Sequence, residues 1–263
     1  MARLLIVIPA RGGSKGIPRK NLTPCAGKPL IVWTFEHAWE AVGGLDLEAG
    51  IVVSTEDDEI AALAQVHGIP VLSRPLELAT DEALTAPVIA HAVRQMDQFL
   101  ISRPDFVAVL QPTVPARPYG LLQECVEHLI RTGADSLHTA YPLHFVWWQE
   151  SAAYLYDVNS GHHEPARWRS QCPRRPRRQD MDDRERMYHE DGSVFVCKAD
   201  LIRQTGQYIG DPRKGHSVEV FPTVRTIDID TDVDLAMAEA LLRYRKVLEL
   251  PASPEAMRAF LKS

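Results

Sequence analysis

The sequence predicts an α/β fold built on a mostly parallel, doubly wound sheet, and three observations lead to this prediction. Short apolar runs without polar alternation, which are typical of strands buried on both faces, recur through the first half of the chain. Longer helical patterns separate these runs. Glycine and basic residues follow the first run directly, at residues 9–21. Because ligands of such sheets lie beyond the carboxyl ends of the strands, this loop is the first candidate for a binding site.

The elements of the first half alternate in order along the chain. The run RLLIVIPA at residues 3–10 predicts the first buried strand. The other strands are predicted at residues 50–55, 69–74, 105–113 and 134–141. The helices between them are predicted at residues 30–42, 56–68, 85–100 and 119–133.

The pattern breaks down between Pro142 and Tyr188, where prolines, tryptophans and arginines interrupt any regular period. We expect this segment to leave the sheet as a lid or a dimerisation arm. Regular structure returns at residues 192–202 and 223–231, and a final helix is predicted from Val233 to Leu250.

Length and composition limit the classes of protein to which the chain can belong. The 263 residues fit one domain over residues 1–250, with an insertion at 142–188 and a tail at 251–263. The net charge of -6 provides no long-range attraction to nucleic acid. No signal segment opens the chain and no apolar stretch could cross a bilayer, so we expect a cytoplasmic protein without membrane contact. The four cysteines are scattered, which favours reduced thiols.

The loop PARGGSKGIPRKN at residues 9–21 combines glycine with positive charge. Glycine lets a backbone approach phosphate oxygens closely and turn its amide groups towards them. The cations that could neutralise a polyphosphate are Arg11, Lys15, Arg19 and Lys20. The spacing matches neither the dinucleotide fingerprint GxGxxG nor the P-loop GxxxxGK[ST]. The alternative is a solvated surface turn whose charges maintain solubility.

Asp228 and Asp230 are the second candidate site. In a strand, positions i and i+2 face the same side, so these two carboxylates would converge. Mg²⁺ is commonly held by one or two carboxylates together with substrate phosphates and waters. Helix capping is the alternative, because Asp232 and Asp234 open the predicted final helix. We expect metal binding for the first pair and a capping role for Asp232 or Asp234.

Six segments of the chain together resemble one enzyme family. IPARGGSKGIPRKN is similar to the signature of the acylneuraminate cytidylyltransferases, which make CMP-sialic acid and related CMP-nonulosonates. The other segments follow in family order as VVSTEDDEI, RPLELATDEALT, VLQPTVPAR, RPRRQD with EDGSVFV, and TIDIDTDVDL. This resemblance extends from residue 6 to about residue 236. It implies a Rossmann-like nucleotidyltransferase sheet, a homodimer and Mg²⁺ as cofactor.

The reaction that the resemblance implies joins CTP to a hydroxyl of a nine-carbon 2-keto sugar acid, such as sialic, legionaminic or pseudaminic acid, and releases pyrophosphate. Such a transfer depends mostly on positioning and charge neutralisation. The resemblance places Arg11 and Lys20 on the triphosphate as catalytic residues, with Ser14 and Lys15 supporting the loop. It also places Asn21 on the nucleotide.

The resemblance assigns further residues to the two substrates. Arg74, Ala83 and Thr85 fall where the family reads the cytosine ring. Gln111 is implied to contact the sugar or the nucleotide. Apart from the resemblance, Arg117 could orient a sugar carboxylate, since a guanidinium offers that group a bidentate fork, and the alternative is a solvated side chain after a proline turn.

The basic run RRPRRQD at residues 174–180 allows two interpretations. A nucleic-acid contact is one, but DMDDRER follows at once and the chain is acidic overall. In the family, Arg177 matches a residue with a catalytic role, and we assign it to positioning substrate charge because arginine is too basic to accept a proton. The residues leave open whether an aspartate or a hydroxide held by the metal is the base. Asp191, where the family usually has asparagine, departs from the pattern.

Three alternative functions remain beside the cytidylyltransferase. A related enzyme could use another nucleotide or an eight-carbon sugar acid. A non-catalytic nucleotide-binding regulator could retain the loop, although the paired Asp228 and Asp230 argue against it. Nucleic-acid binding through residues 174–178 would give salt-sensitive affinity for RNA or DNA.

Overall fold

The computed structural model describes residues 2–98, 103–143, 148–150, 155–156, 163–164, 168–170 and 187–244. The chain divides into two compact units, residues 1–141 with 190–263 and residues 142–189. In the second unit, residues 148–150, 155–156, 163–164 and 168–170 form four short strands in two antiparallel pairs. Arg177 and the tail at 251–263 lie outside the described residues.

The described strands and helices follow one another in regular alternation through the first half of the chain. The strands are β1 (Arg3–Pro9), β2 (Pro24–Cys25), β3 (Lys28–Pro29), β4 (Glu48–Thr55), β5 (Val71–Ser73), β6 (Phe106–Val109), β7 (Ser136–Leu143), β8 (Trp148–Glu150), β9 (Leu155–Tyr156), β10 (His163–Glu164), β11 (Trp168–Ser170), β12 (Met187–Lys198) and β13 (Val218–Pro222). The helices are α1 (Leu30–Gly44), α2 (Asp58–Val66), α3 (Thr85–Asp97), α4 (Leu121–Thr132), α5 (Ala199–Thr205) and α6 (Asp232–Arg243). Each element predicted before residue 141 is found within a few residues of its predicted position.

A seven-stranded sheet with the order β13-β7-β12-β6-β1-β4-β5 forms the centre of the first unit. β1 pairs in parallel with β4 and β6, β4 with β5, and β7 with β13. β12 runs antiparallel to β6. The predicted α/β fold with a mostly parallel sheet is therefore confirmed. The parallel registers bring the carboxyl ends of β1, β4 and β6 to the same edge, so the loops that follow these strands meet there.

The two faces of β1 pack against different layers of helices. Leu4, Ile6 and Ile8 are buried in a cluster with residues of α1, α2 and α4. Leu5 and Val7 point the other way and are buried with residues of α3 and α5. Each such side chain contributes about 1.5–3 kcal/mol by leaving water. This burial on both faces explains why the strand shows no polar alternation.

The predicted strand at residues 223–231 is wrong. The strand is β13, directly before it, and residues 223–229 form no ladder. The alternating pattern arises because Ile227 and Ile229 are buried in the core while Asp228 and Asp230 line a cleft, and the Ile229 amide donates to the Thr113 carbonyl at 2.9 Å. The final helix, α6, is also shorter than predicted, and residues 245–250 lie outside the described part.

No helix of the described residues is both long enough and apolar enough to span a membrane. Cys25, Cys125 and Cys197 are buried free thiols, which agrees with the expectation of reduced cysteines for these three positions. Cys172 lies outside the described residues.

Asp57 joins the start of α2 to the loop after β1. Its carboxylate caps the helix by accepting hydrogen bonds from the amides of Glu59 at 3.1 Å and Ile60 at 3.0 Å. The same carboxylate accepts two hydrogen bonds from the guanidinium of Arg19, a residue with the left-handed φ of 57°. These bonds hold the pKa of Asp57 below its ordinary value.

The carboxylate of Asp57 should stabilise the fold in two separable ways, through its charge and through its cap. Asp57→Asn keeps an acceptor for the helix amides and removes the charge, so we expect the free energy of unfolding to fall by about 0.5–1 kcal/mol at neutral pH. Asp57→Ala removes the cap as well, and we expect a further loss of about 1 kcal/mol. Urea unfolding of both variants beside the wild type measures these differences.

The pH dependence of the same comparison isolates the charge. Because the native pKa of Asp57 lies below its ordinary value of 3.8, the charge contributes fully above that value and is lost as the pH falls through the native pKa. The difference between wild type and Asp57→Asn should be the same at about pH 7 and pH 5 and smaller near pH 3. A difference that stays constant down to pH 3 would contradict the ion pair.

Candidate active site

A cleft of about 300 Å³ opens beyond the carboxyl ends of β1, β5 and β6. This volume is typical of small-ligand sites. The sequence-predicted residues that line the cleft are Arg11, Ser14, Lys20, Asn21, Arg74, Ala83, Thr85, Gln111, Asp228 and Asp230. The fold thus brings residues from separate stretches of the chain into one cavity.

Hydrogen bonds and close packing fix the loop after β1. The buried Asn21 donates from Nδ2 to the Arg11 carbonyl at 2.9 Å, and the Gly12 amide donates to Oε1 of Glu56 at 2.7 Å. A Cβ at Gly12 would collide with the Asp57 carboxylate, and one at Gly16 would collide with the Asp230 carbonyl. Two of the three glycines are therefore required by packing of the chain on itself.

The cations of this loop differ in what they contact. Lys20, whose side chain is largely buried, donates to the Ile229 carbonyl at 2.5 Å and pairs with Asp230 at 3.0 Å. Arg11 pairs with Asp81 at 2.8 Å. Arg19, which the sequence suggests as a phosphate ligand, instead binds Asp57 and so is not among the residues that line the cleft.

Lys15 is not one of the residues that line the cleft. Its ammonium lies 3.6 Å from the same carboxylate that Arg11 contacts, that of Asp81. The structure therefore brings Lys15 to the partner of Arg11 and not to the cleft wall.

Arg74 is held rigidly at the edge of the cleft. Its guanidinium donates to the carbonyl of Ser54 at 2.6 Å and to the Ser54 hydroxyl at 3.3 Å. Burial lowers the pKa of Arg74 to about 10, so it stays charged at neutral pH. Ala83 and Thr85 line the cleft beside it, and Thr85 is the first residue of α3. This group can present a fixed cation and backbone polar atoms to a ligand.

Arg117 lies beneath the cleft and not in it. Its side chain is 1% exposed, and its guanidinium donates to the Ser193 carbonyl at 2.5 Å, to the Thr34 hydroxyl at 3.1 Å and to the Gln111 carbonyl. The expected contact between Arg117 and a sugar carboxylate is not what the structure shows, because the guanidinium already donates its hydrogen bonds to these protein acceptors. Arg117 instead braces Gln111, whose side chain lines the cleft.

Asp191 explains how a charged arginine is tolerated under the cleft. Burial lowers the pKa of Arg117 to about 9, and attraction to Asp191 opposes this lowering. Asp191 is itself buried and accepts hydrogen bonds from the Thr139 hydroxyl at 2.5 Å and from the Ser193 amide at 3.0 Å. Asp191, which stands where the family usually has asparagine, thus provides a negative charge that compensates the buried charge of Arg117.

The Asp228 and Asp230 carboxylates both line the cleft, as the sequence predicts, although no strand supports them. Burial raises the pKa of Asp228, and repulsion from Asp230 adds to this, while a hydrogen bond from Thr113 opposes it. Such a pair attracts a cation, and the Lys20 ammonium is the cation beside Asp230. Among the residues that the structure describes, no group of three or more His, Cys, Asp or Glu side chains could hold a metal.

The capping expectation is confirmed for Asp234. Its Oδ2 accepts a hydrogen bond from the Thr231 amide at 2.8 Å, and its own amide donates to the Thr231 hydroxyl oxygen at 3.3 Å, which forms a capping box at the start of α6. Asp232 is exposed in the first turn of the helix.

Sequence reasoning missed two contributors to the site. Thr113 lines the cleft and bonds Asp228, and its position two residues after Gln111 in the loop after β6 could have indicated it. Asp81 lies in the segment that is expected to contact the cytosine ring. An acidic residue in a segment that meets the basic loop could have indicated its ion pair with Arg11.

Gly16→Ala should destabilise the fold, because a backbone carbonyl cannot move aside as a side chain would. We expect the free energy of unfolding to fall by about 1–3 kcal/mol. Gly13→Ala is the matched control, since a methyl group there meets no described atom within 4 Å. Urea unfolding of the two variants tests this, and equal stabilities would contradict the close approach of Gly16 to Asp230.

Comparison with known proteins gives the relatives of the chain. Residues 5–129 match the family model described as cytidylyltransferase. The chain is 30% identical over 246 residues to a pseudaminic acid cytidylyltransferase of Campylobacter jejuni, covering 91% of this chain and 96% of that protein. It is 32% identical over 255 residues to a CMP-N,N'-diacetyllegionaminic acid synthase of Legionella pneumophila, covering 93% and 98%. An N-acylneuraminate cytidylyltransferase A of Danio rerio is 33% identical over 242 residues, 90% of this chain, and the chain spans 50% of its length.

Solved structures show the same fold. A CMP:2-keto-3-deoxy-manno-octonic acid synthetase complexed with CTP superposes with a TM-score of 0.66 at 17% identity, over 93% of this chain and 100% of that one. A 4-diphosphocytidyl-2C-methyl-D-erythritol synthase gives a TM-score of 0.61 at 15% identity, over 92% and 99%. Relatives that match along nearly their whole length, together with the family model, lead to one conclusion: the chain belongs to the cytidylyltransferase family.

Proposed function

We propose that this protein transfers the cytidylyl group of CTP to a hydroxyl of a nine-carbon 2-keto sugar acid. A bond forms between the sugar oxygen and the α-phosphorus, the bond from that phosphorus to the pyrophosphate breaks, and the hydroxyl proton leaves to a base or to solvent. The observation that carries the proposal is that Arg11, Lys20, Arg74 and the Asp228–Asp230 pair line the same cleft. The relatives named for pseudaminic and legionaminic acids support this class of sugar.

The nucleotide half of the cleft would bind CTP through fixed charges. Arg11 and Lys20, which line the cleft, neutralise the triphosphate, and Ser14 adds a hydroxyl donor at the cleft wall. Lys15 adds a further positive charge from its position beside Asp81. Asn21 keeps the loop in shape through its bond to the Arg11 carbonyl. The cytosine lies against Arg74, Ala83 and Thr85. The solved relative complexed with CTP, which has the same fold, supports this choice of nucleotide.

The Asp228 and Asp230 carboxylates fit a Mg²⁺ ion that shares its remaining positions with phosphates and waters. Two carboxylates in one cleft suit this mode of binding, and the ammonium of Lys20 beside Asp230 indicates that the position favours a cation. When bound, Mg²⁺ would neutralise charge on the phosphates of the substrate. Lys20 would then be free to contact the triphosphate.

The sugar half rests on fewer described residues. Gln111 lines the cleft at the end of β6 and would contact the sugar or the nucleotide. Arg177 would position substrate charge, but it lies outside the described residues.

We also propose a homodimer in which residues 142–188 form the exchanged arm. Light scattering tests this proposal, since a monomer in solution would refute the homodimer.

A pyrophosphate-release assay tests the proposed function directly. The protein is incubated with Mg²⁺, with CTP, UTP, GTP or ATP, and with sialic, legionaminic, pseudaminic or the eight-carbon octulosonic acid. We expect release with CTP and one nine-carbon acid. Release with another nucleotide or only with the eight-carbon acid favours the related transferase, and binding of CTP without any release favours a regulator.

Lys20→Met should reduce kcat/KM for CTP by about a hundredfold or more, because it removes a cation from the charged transition state. Lys214→Met is the matched control, since Lys214 is exposed in a short turn and does not line the cleft. Steady-state kinetics under saturating sugar measures both variants. Comparable activity of the two variants would refute the role of Lys20.

Asp230→Asn should raise the Mg²⁺ concentration needed for half-maximal pyrophosphate release, because one of the two carboxylates becomes neutral. Asp232→Asn carries the same change two residues further on, where the side chain is exposed and does not line the cleft. Titration of the activity with Mg²⁺ compares the two variants. An unchanged titration for Asp230→Asn would remove this residue from the proposed metal site.

A further inference from the structure

Asp81 neutralises two cations of the loop after β1. Its Oδ1 lies 2.8 Å from a guanidinium nitrogen of Arg11, and its Oδ2 lies 3.6 Å from the ammonium of Lys15. The same Arg11 nitrogen donates to the carbonyl of Thr80 at 2.8 Å. Two of the groups proposed for the triphosphate therefore already face an anion.

The position of Asp81 links the two halves of the nucleotide site. It lies between the short turn at Leu76–Leu78 and α3, in the same segment as Ala83, which lines the cleft. The contacts of Arg11 with Thr80 and Asp81 thus connect the segment proposed to bind the cytosine with the loop proposed to bind the triphosphate.

The ion pair of Arg11 and Asp81 is exposed, so another anion can replace the Asp81 carboxylate at low cost. The side chain of Asp81 is 40% exposed and that of Arg11 is 31% exposed, so water compensates either partner on separation. Exposed pairs of this kind contribute about 0.2–1 kcal/mol. A triphosphate carries several negative charges and can replace one carboxylate, whereas a singly charged anion gains little by doing so.

We propose that Asp81 is an internal counter-anion that the triphosphate of the nucleotide displaces from Arg11 and Lys15. Asp81 in this way sets how strongly charged a ligand must be to occupy the loop. The inference rests on the proposed function, since the competing ligand is CTP. Lys20 and Asp230 form a second such pair, which metal would separate.

The test measures binding of CTP and of inorganic pyrophosphate by calorimetry in EDTA, so that the pair of Lys20 and Asp230 is the same in every variant. Asp81→Asn keeps the size of the side chain and removes its charge. We expect it to bind both ligands about threefold to fivefold more tightly than the wild type, which corresponds to losing one exposed ion pair.

Glu82→Gln is the matched control for a change of net charge. Glu82 is the next residue, is exposed, and forms no ion pair with any part of the chain that the structure describes. We expect it to bind CTP and pyrophosphate as the wild type does. Thermal unfolding of both variants checks that the fold is retained.

The outcomes separate the inference from the proposed function. Tighter binding by Asp81→Asn alone supports the inference. Equal affinities of Asp81→Asn and Glu82→Gln, or weaker binding by Asp81→Asn, overturn it while CTP binding by the wild type still upholds the proposed nucleotide. If the wild type binds CTP neither in EDTA nor with Mg²⁺ restored, the proposed function fails and the inference fails with it.

Discussion

The floor of the cleft depends on one buried guanidinium, that of Arg117. A charge removed from water must be matched by acceptors, or its burial destabilises the fold. Three segments supply them: α1 through Thr34, the loop after β6 through Gln111, and β12 through Ser193. These bonds fix the relative positions of the three segments. They therefore also fix the position of Gln111, which lines the cleft. The shape of the cleft thus depends on a cation that does not line it.

The basic loop takes its shape from negative charge elsewhere in the chain. Carboxylates placed after β4, before α3 and before α6 each pair with one or two of its cations. A loop rich in like charges would otherwise repel itself, so these pairs keep it compact before any ligand binds.

Local patterns in the sequence predicted the elements, because apolar period and glycine placement act over short distances. Most of the lining residues were predicted from the resemblance to the cytidylyltransferases and not from these patterns. Contacts between distant residues could not be predicted. Lys20 meets Ile229, which lies 209 positions away, and Arg117 meets Ser193, 76 positions away. The same limit explains the wrong strand at residues 223–231, where the alternation came from burial of Ile227 and Ile229 in a cluster with Leu30 and not from a ladder. The sequence suggested that Arg117 binds a substrate carboxylate, because the burial of a side chain depends on distant residues and is not visible in a local pattern.

The shared carboxylate of Asp57 has a consequence for motion within the native state. It holds the amides of Glu59 and Ile60 and the guanidinium of Arg19 at the same time. Fraying of the first turn of α2 would therefore release the loop after β1, and release of the loop would weaken the turn. Opening of the two segments is coupled through this carboxylate, so the exchange of these two amide hydrogens with solvent reports on how often the Arg19 contact of the loop is broken.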